Sequence, residues 1–319
     1  MFRGVAQLVE CLVWDQDAAG SSPVTSTNNL NVRLNRGEKM KRFFWCCLLF
    51  LIAIVSVLIY FFSDKNLTQS YYKSIEINGK TMKAEVGGSG NKTIVMLSGW
   101  GTDSPIDDFY PLYKRLIKNY KVVVIEYFGY FSSDLTEEER TNKNMVEEIR
   151  MALKKLNIDP PYILMPHSMS GLYSLYYTNK YPSEVSGIIG IDMSLAQKQL
   201  ERWNEESFEE TKKEIYEKKL NISVLNQWNA FYSNSKELEN IKYPINLPVL
   251  AFLATEQIEN VDNMITSGQM KTSWVDINKN MITNPNIQNI EILEGHHNNL
   301  AYNQTDRILE LSKKFIENL

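Results

Sequence analysis

Cysteine and histidine are the scarcest reactive residues in this chain. Only Cys11, Cys46 and Cys47 occur among 319 residues, none in a C-x-x-C pair and none in a Cys/His cluster. That excludes a disulfide framework and a Cys-based zinc site. A basic excess is missing too. Against 38 Asp and Glu stand 34 Lys and Arg, for a net charge of −4, so nucleic acid is not an expected partner. No internal repeat is evident. With 44% hydrophobic and 23% charged residues, the chain suits one good-sized globular domain with appendages. The histidines number three, His167, His296 and His297, so any imidazole chemistry has almost no choice of residue.

What is present begins with a long apolar run. Residues 43–62, FFWCCLLFLIAIVSVLIYFF, carry no charge. Twenty such residues span about 30 Å as a helix, the thickness of a bilayer core. Lys41 and Arg42 precede the run, and Asp64 and Lys65 follow it. The positive-inside rule then predicts a single-pass anchor (40–65) in the cell membrane, with the C-terminal domain on the extracytoplasmic side. Tyr60-Phe61-Phe62-Ser63 lacks the small residues of a signal-peptidase site, which argues against a cleaved leader.

Residues 1–39 show no hydrophobic period. Val5-Ala6-Gln7-Leu8-Val9-Glu10 can be written in codons as GTA GCT CAG TTG GTA GAG, which resembles the D-arm of a tRNA gene. Gly20-Ser21-Ser22-Pro23-Val24 back-translates to a T-arm-like GGT TCG AGT CCN GTN. We expect this segment to be a translated tRNA gene ahead of a natural start at Met40; a disordered cytoplasmic tail is the alternative.

From residue 66 onward, strands and helices alternate, the pattern of a mostly parallel α/β sheet with helices on both faces. A hairpin is predicted over 74–86, turning at Asn78-Gly79. Strands follow at 93–97, 122–126, 187–191, 249–254 and 290–293, and helices at 106–118, 141–156, 169–181 and 308–316. Between them, Ile163-Leu164-Met165-Pro166-His167-Ser168-Met169-Ser170-Gly171 runs from an apolar strand into a helix. A serine at such a turn is pushed out of the sheet with its Oγ exposed. The alternation breaks between Asp192 and Pro248, in a charged stretch interspersed with Trp203, Phe208, Trp228, Phe231 and Tyr232.

His-Ser-Met-Ser-Gly resembles the nucleophile elbow of the α/β-hydrolase superfamily, over roughly residues 74–319. Pro166 and Ser170 stand where the G-x-S-x-G pattern has glycines. The resemblance implies an α/β-hydrolase fold, with 193–247 as a small helical cap over the active site. It also implies a triad in the order Ser, carboxylate, His. Ser168 is then the nucleophile. His297, in Glu294-Gly295-His296-His297 after the last strand, is the favoured base, with His296 as the alternative. Glu256, in the loop directly after strand 249–254, is the favoured acid; Glu259 and Asp262 lie in the same loop, and Asp192 after the preceding strand ranks last. Ser98-Gly99-Trp100-Gly101 resembles the family's His-Gly-x-Gly loop, so the backbone N–H groups of Trp100 and Met169 would form the oxyanion hole.

The implied protein is a membrane-anchored serine hydrolase of the esterase or lipase kind, acting through an acyl-serine on a small-molecule or lipid-like ester, without metal or cofactor. The alternatives are an acyltransferase using the same triad and a non-catalytic binding protein of the same fold.

Overall fold

The computed structural model describes residues 40–56 and 70–319, and the chain divides into two units, Met1–Phe62 and Ser63–Leu319. In the first unit residues 40–56 form a helix whose Phe43, Phe44, Trp45 and Phe50 side chains are exposed. Among the described residues no helix is long and apolar enough to cross a membrane. The expected tail 1–39 and the last six residues of the apolar run, 57–62, lie outside the described residues.

The second unit is an eight-stranded sheet flanked by helices. Its strands are β1 (Ser70–Ile77), β2 (Lys80–Gly87), β3 (Thr93–Leu97), β4 (Lys121–Glu126), β5 (Tyr162–Pro166), β6 (Val185–Ile191), β7 (Val249–Ala254) and β8 (Gln288–Leu293), in spatial order 1-2-4-3-5-6-7-8. β2 pairs antiparallel with both β1 and β4, and every later pairing is parallel. The β1–β2 hairpin turns at Asn78 (φ 52°) and Gly79 (φ 77°), the two positive φ angles that a tight two-residue hairpin turn requires.

Central strands read as unbroken apolar runs because both their faces are covered. Val95, Leu97, Val123, Ile125 and Leu164 point into one core, and Ile94, Met96, Val122, Val124, Ile163 and Met165 into the other, alternating with the period of two. On the first side lie α2 (Asn142–Lys155) and α3 (Ser170–Lys180), whose Met145, Ile149, Leu172 and Tyr173 join that core. The opposite face is closed by α1 (Pro105–Leu116) and α11 (Thr305–Glu317), through Phe109, Leu112, Ile308 and Ile316. Each fully buried Val, Ile or Leu contributes about 1.5–3 kcal/mol.

The stretch between β6 and β7, expected as a small helical cap, holds four helices: α4 (Ala196–Arg202), α5 (Glu205–Tyr216), α6 (Ile222–Asn229) and α7 (Phe231–Glu237). Its Trp203, Phe208 and Phe231 are buried. Trp228 packs against Trp203, Phe208 and Phe231 with ring centroids 5.6–5.9 Å apart. Asn234 of α7 bonds the backbone N–H of Asn142 (2.8 Å) and the Arg140 carbonyl (3.0 Å), fixing this layer to the head of α2. Two further helices, α8 (Thr255–Thr266) and α9 (Trp274–Met281), occupy what the sequence suggested was an acid-bearing loop and its continuation. The short α10 (Leu300–Asn303) follows β8.

Candidate active site

Parallel strands deliver their C-terminal ends to one edge of the sheet, and the candidate site lies beyond that edge. Pro166 is the last residue of β5, paired with Leu97, and the ladder resumes past it when the His167 N–H donates to the Leu97 carbonyl at 2.9 Å. The missing proline donor is therefore harmless. Ser168 follows with φ 51°, a left-handed conformation that costs a non-glycine residue about 1–3 kcal/mol. Its carbonyl accepts from the N–H groups of Ser194 (2.7 Å) and Gly171 (2.9 Å), which hold the turn.

The tight spot of the elbow falls one residue later than the motif implies. A Cβ on Gly171 would lie 2.5 Å from the Ser194 carbonyl, so glycine is required there. Ser170 is free to carry a hydroxyl. That hydroxyl donates to the Ser98 carbonyl and pairs with the Tyr127 hydroxyl at 2.8 Å, tying the elbow to the loop after β3.

His297 Nε2 lies 2.9 Å from Ser168 Oγ, and its Nδ1 lies 2.6 Å from Asp192 Oδ2. The carboxylate on the imidazole is thus Asp192, not Glu256. Asp192 follows β6 with φ 40° and no exposed surface; its N–H donates to the Phe252 carbonyl at 2.8 Å, which turns the side chain toward the site. Its second oxygen, Oδ1, accepts the indole N–H of Trp274 at 2.9 Å. Glu256 misses the ring because the chain enters α8 at Thr255 instead of forming an open loop. Its Oε2 accepts the His297 backbone N–H at 2.8 Å, and its Oε1 lies 3.3 Å from Nδ1 of the exposed His296. These bonds, the His297 N–H first, hold the Glu256 carboxyl below the usual glutamate range. Glu259 and Asp262 are exposed on α8.

His167 and Trp274 contribute in ways the sequence reading missed. The His167 ring lies against that of His297, centroids 5.0 Å apart, and its Nε2 is 2.9 Å from the His297 carbonyl. A carbonyl only accepts, so His167 carries its proton on Nε2. Burial, with the neighbouring His297 adding to it, pushes the His167 pKa down to about 4. His167 is therefore a neutral donor that fixes the backbone of His297. Lys198, also buried, places its ammonium 4.9 Å from the ring centre of Trp274, and burial lowers it to about 8.

Opposite Ser168 runs the loop Ser98-Gly99-Trp100-Gly101. A Cβ on Gly99 would lie 2.9 Å from Ser168 Cβ, so the loop passes as close as backbone can. Among the described residues the N–H groups of Trp100 and Met169 form no hydrogen bond. Gly99, Trp100, His167 and Ser168 line a cavity of about 580 Å³ whose outer wall carries Asp103, Asp107 and Asp108. No group of three or more His, Cys, Asp or Glu positioned to hold a metal occurs among the described residues.

The model of the alpha/beta hydrolase fold family matches residues 92–300. The uncharacterized protein YbdG of Bacillus subtilis is 37% identical over 153 residues, 47% of this chain and 47% of that protein, so the match spans about half of the relative's length. YqjL of the same organism, also uncharacterized, is 23% identical over 199 residues, 59% of this chain and 75% of the relative. Similar solved structures include a membrane phospholipase A, a bacterial virulence factor (TM-score 0.57, 15% identity, covering 87% of this chain and 98% of that one). A putative lipase from Acinetobacter baumannii (TM-score 0.54, 19% identity, 83% and 97%) and the epoxide hydrolase CorEH (0.56, 13%, 78% and 99%) share the fold as well. With the family model spanning the sheet from β3 through β8 and the strand order agreeing, the chain belongs to the α/β-hydrolase superfamily.

Proposed function

We propose that this protein is a serine hydrolase of carboxylic esters, working through an acyl-serine intermediate and anchored to the cell membrane by residues 43–62. One observation carries the chemistry: His297 bridges Ser168 Oγ and Asp192 through its two ring nitrogens, at 2.9 and 2.6 Å. In this reading Nε2 takes the serine proton as Oγ attacks the ester carbonyl, and Asp192 stabilises the imidazolium that results. The free N–H groups of Trp100 and Met169 receive the oxyanion. His297 then protonates the departing alcohol, and the same groups direct water onto the acyl-serine.

A serine nucleophile favours acyl substrates over epoxides. Opening an epoxide would leave an ether on Oγ, which water does not cleave, whereas an acyl ester is cleaved and the enzyme regenerated. The anchor rests on the uncharged run and its Lys41-Arg42 flank, and by the positive-inside rule the hydrolase domain faces outward. Hydrolysis of p-nitrophenyl esters of graded acyl length by the full-length protein, with Ser168→Ala as control, tests the reading. Turnover that disappears with Ser168 supports it; an inert wild-type protein that also resists fluorophosphonate defeats it.

A further inference from the structure

Two hydrogen-bonded links join the oxyanion loop to α6, one direct from the Trp100 side chain and one relayed from Gly101 through Tyr130. The Trp100 indole donates to the Val224 carbonyl at 2.9 Å. The next residue, Gly101, donates its N–H to the Tyr130 hydroxyl at 2.9 Å, and Tyr130 in turn donates to Gln227 Oε1. The rings of Trp100 and Trp228 lie 4.7 Å apart, tilted 45° to one another, adding an aromatic contact to the same helix. Tyr130 and Gln227 are 2% and 1% exposed, so water cannot replace either partner.

This helix does not behave as a swinging lid at that end. Ser223 Oγ donates to the Thr136 carbonyl (2.9 Å) and accepts the Thr136 N–H (2.7 Å), and Asn221 donates to the Gly129 carbonyl (2.8 Å). Gly129 has no room for a side chain: a Cβ there would lie 2.4 Å from Ser223 Cβ. The N-terminal turn of α6 is bolted to the loop after β4, and the oxyanion loop hangs from the turn that follows.

We propose that α6 belongs to the catalytic apparatus: Gln227, through Tyr130, and the Val224 carbonyl, through the Trp100 indole, hold the oxyanion loop so that the Trp100 N–H meets charge developing opposite Ser168. Tyr130 and Gln227 are positioning residues in this scheme, since neither touches substrate. A loop clamped at its donor residue and at the next one pays no reorganisation when the oxyanion forms, which is where such donors act most strongly. A helix that merely covers the site would affect substrate binding instead. The inference rests on the serine hydrolase reading above.

The test uses the full-length protein and the variants Tyr130→Phe, Gln227→Met and Trp100→Phe, which keep bulk while removing one bond or more of the clamp. For each, kcat and KM are measured on p-nitrophenyl butyrate. Inhibition is measured with butylboronic acid, which forms a tetrahedral adduct on serine, and with N-butylbutyramide, which does not. We expect kcat to fall about 10- to 100-fold with KM changed less than about threefold, and boronic acid affinity to fall in proportion to kcat/KM while amide affinity holds. If Tyr130→Phe fails to fold, Trp100→Phe, altered at the cavity wall, answers alone. Loss of amide affinity equal to loss of boronate affinity, or kcat within about threefold of wild type in every folded variant, overturns the proposal. An active wild type with unaffected variants defeats this inference alone, whereas an inert wild type defeats the functional reading with it.

Discussion

His297 is held by two carboxylates at once: Asp192 on its ring nitrogen at 2.6 Å and Glu256 on its backbone N–H at 2.8 Å. In the proposed mechanism the first sets the tautomer that leaves Nε2 free to accept the serine proton; the second sets where the loop stands. Exchanging the charge of each should therefore have unequal effects. Asp192→Asn should reduce turnover by about 10⁴, as triad amides do. Glu256→Gln keeps an oxygen for the His297 N–H and weakens only a charge-assisted bond, so a loss of about tenfold or less is expected. Steady-state kinetics of both variants on one ester, normalised to active-site titration, check the ordering.

Trp274 supplies the only side-chain donor described for Asp192 Oδ1, in a position with no exposed surface. Trp274→Phe leaves that oxygen without a partner and opens space beside it. Unfolding free energy should fall by about 2–4 kcal/mol. Turnover per folded molecule should also drop, by about 10-fold or more, because the carboxylate is no longer held toward His297. Denaturant titration and active-site titration separate the two effects. Unchanged turnover in the folded fraction would show that Asp192 needs no second bond.

His167 makes stability depend on acid. Its folded pKa, about 4, lies below the ordinary histidine value of 6.5, so between those limits the unfolded chain binds a proton that the folded chain does not. Stability contributed by neutral His167 is complete above about pH 6.5 and falls as pH drops toward 4, by up to about 3 kcal/mol. His167→Gln, whose amide can still donate to the His297 carbonyl, should flatten that part of the curve. Urea unfolding at a series of pH values between 4 and 7 measures it; parallel curves for the two proteins would refute it.

Anchoring predicts a sidedness. In cells expressing the full chain, the protein should sediment with membranes and resist alkaline carbonate. Protease added to intact protoplasts should digest the hydrolase domain. A domain protected until the cells are lysed would reverse the proposed orientation.

Much of the fold is legible in the sequence because buried parallel strands leave continuous apolar runs. Ile94-Val95-Met96 and Val122-Val123-Val124 admit few other readings, and Asn78-Gly79 announces its hairpin. The meeting of Ser168 and His297 is legible for a related reason, since a strand-to-helix serine and three histidines leave little freedom. The partner carboxylate is not. Which of several acids reaches Nδ1 depends on the φ of Asp192 and on whether the chain coils after Ala254, neither of which a residue type reveals. A signal for α8 does exist, in Ile258, Val261 and Ile265 at helical spacing, and it would have removed Glu256 from an open loop. Trp274 lies 82 residues beyond Asp192, and nothing local marks the contact.

The nucleophile is the centre of the account, and intact-protein mass spectrometry after brief exposure to a fluorophosphonate addresses it most directly. One adduct per chain is predicted, mapping to the peptide that contains Ser168, absent in Ser168→Ala and formed far more slowly in Asp192→Asn. An adduct on another residue, or labelling of Ser168→Ala at the wild-type rate, would contradict the assignment.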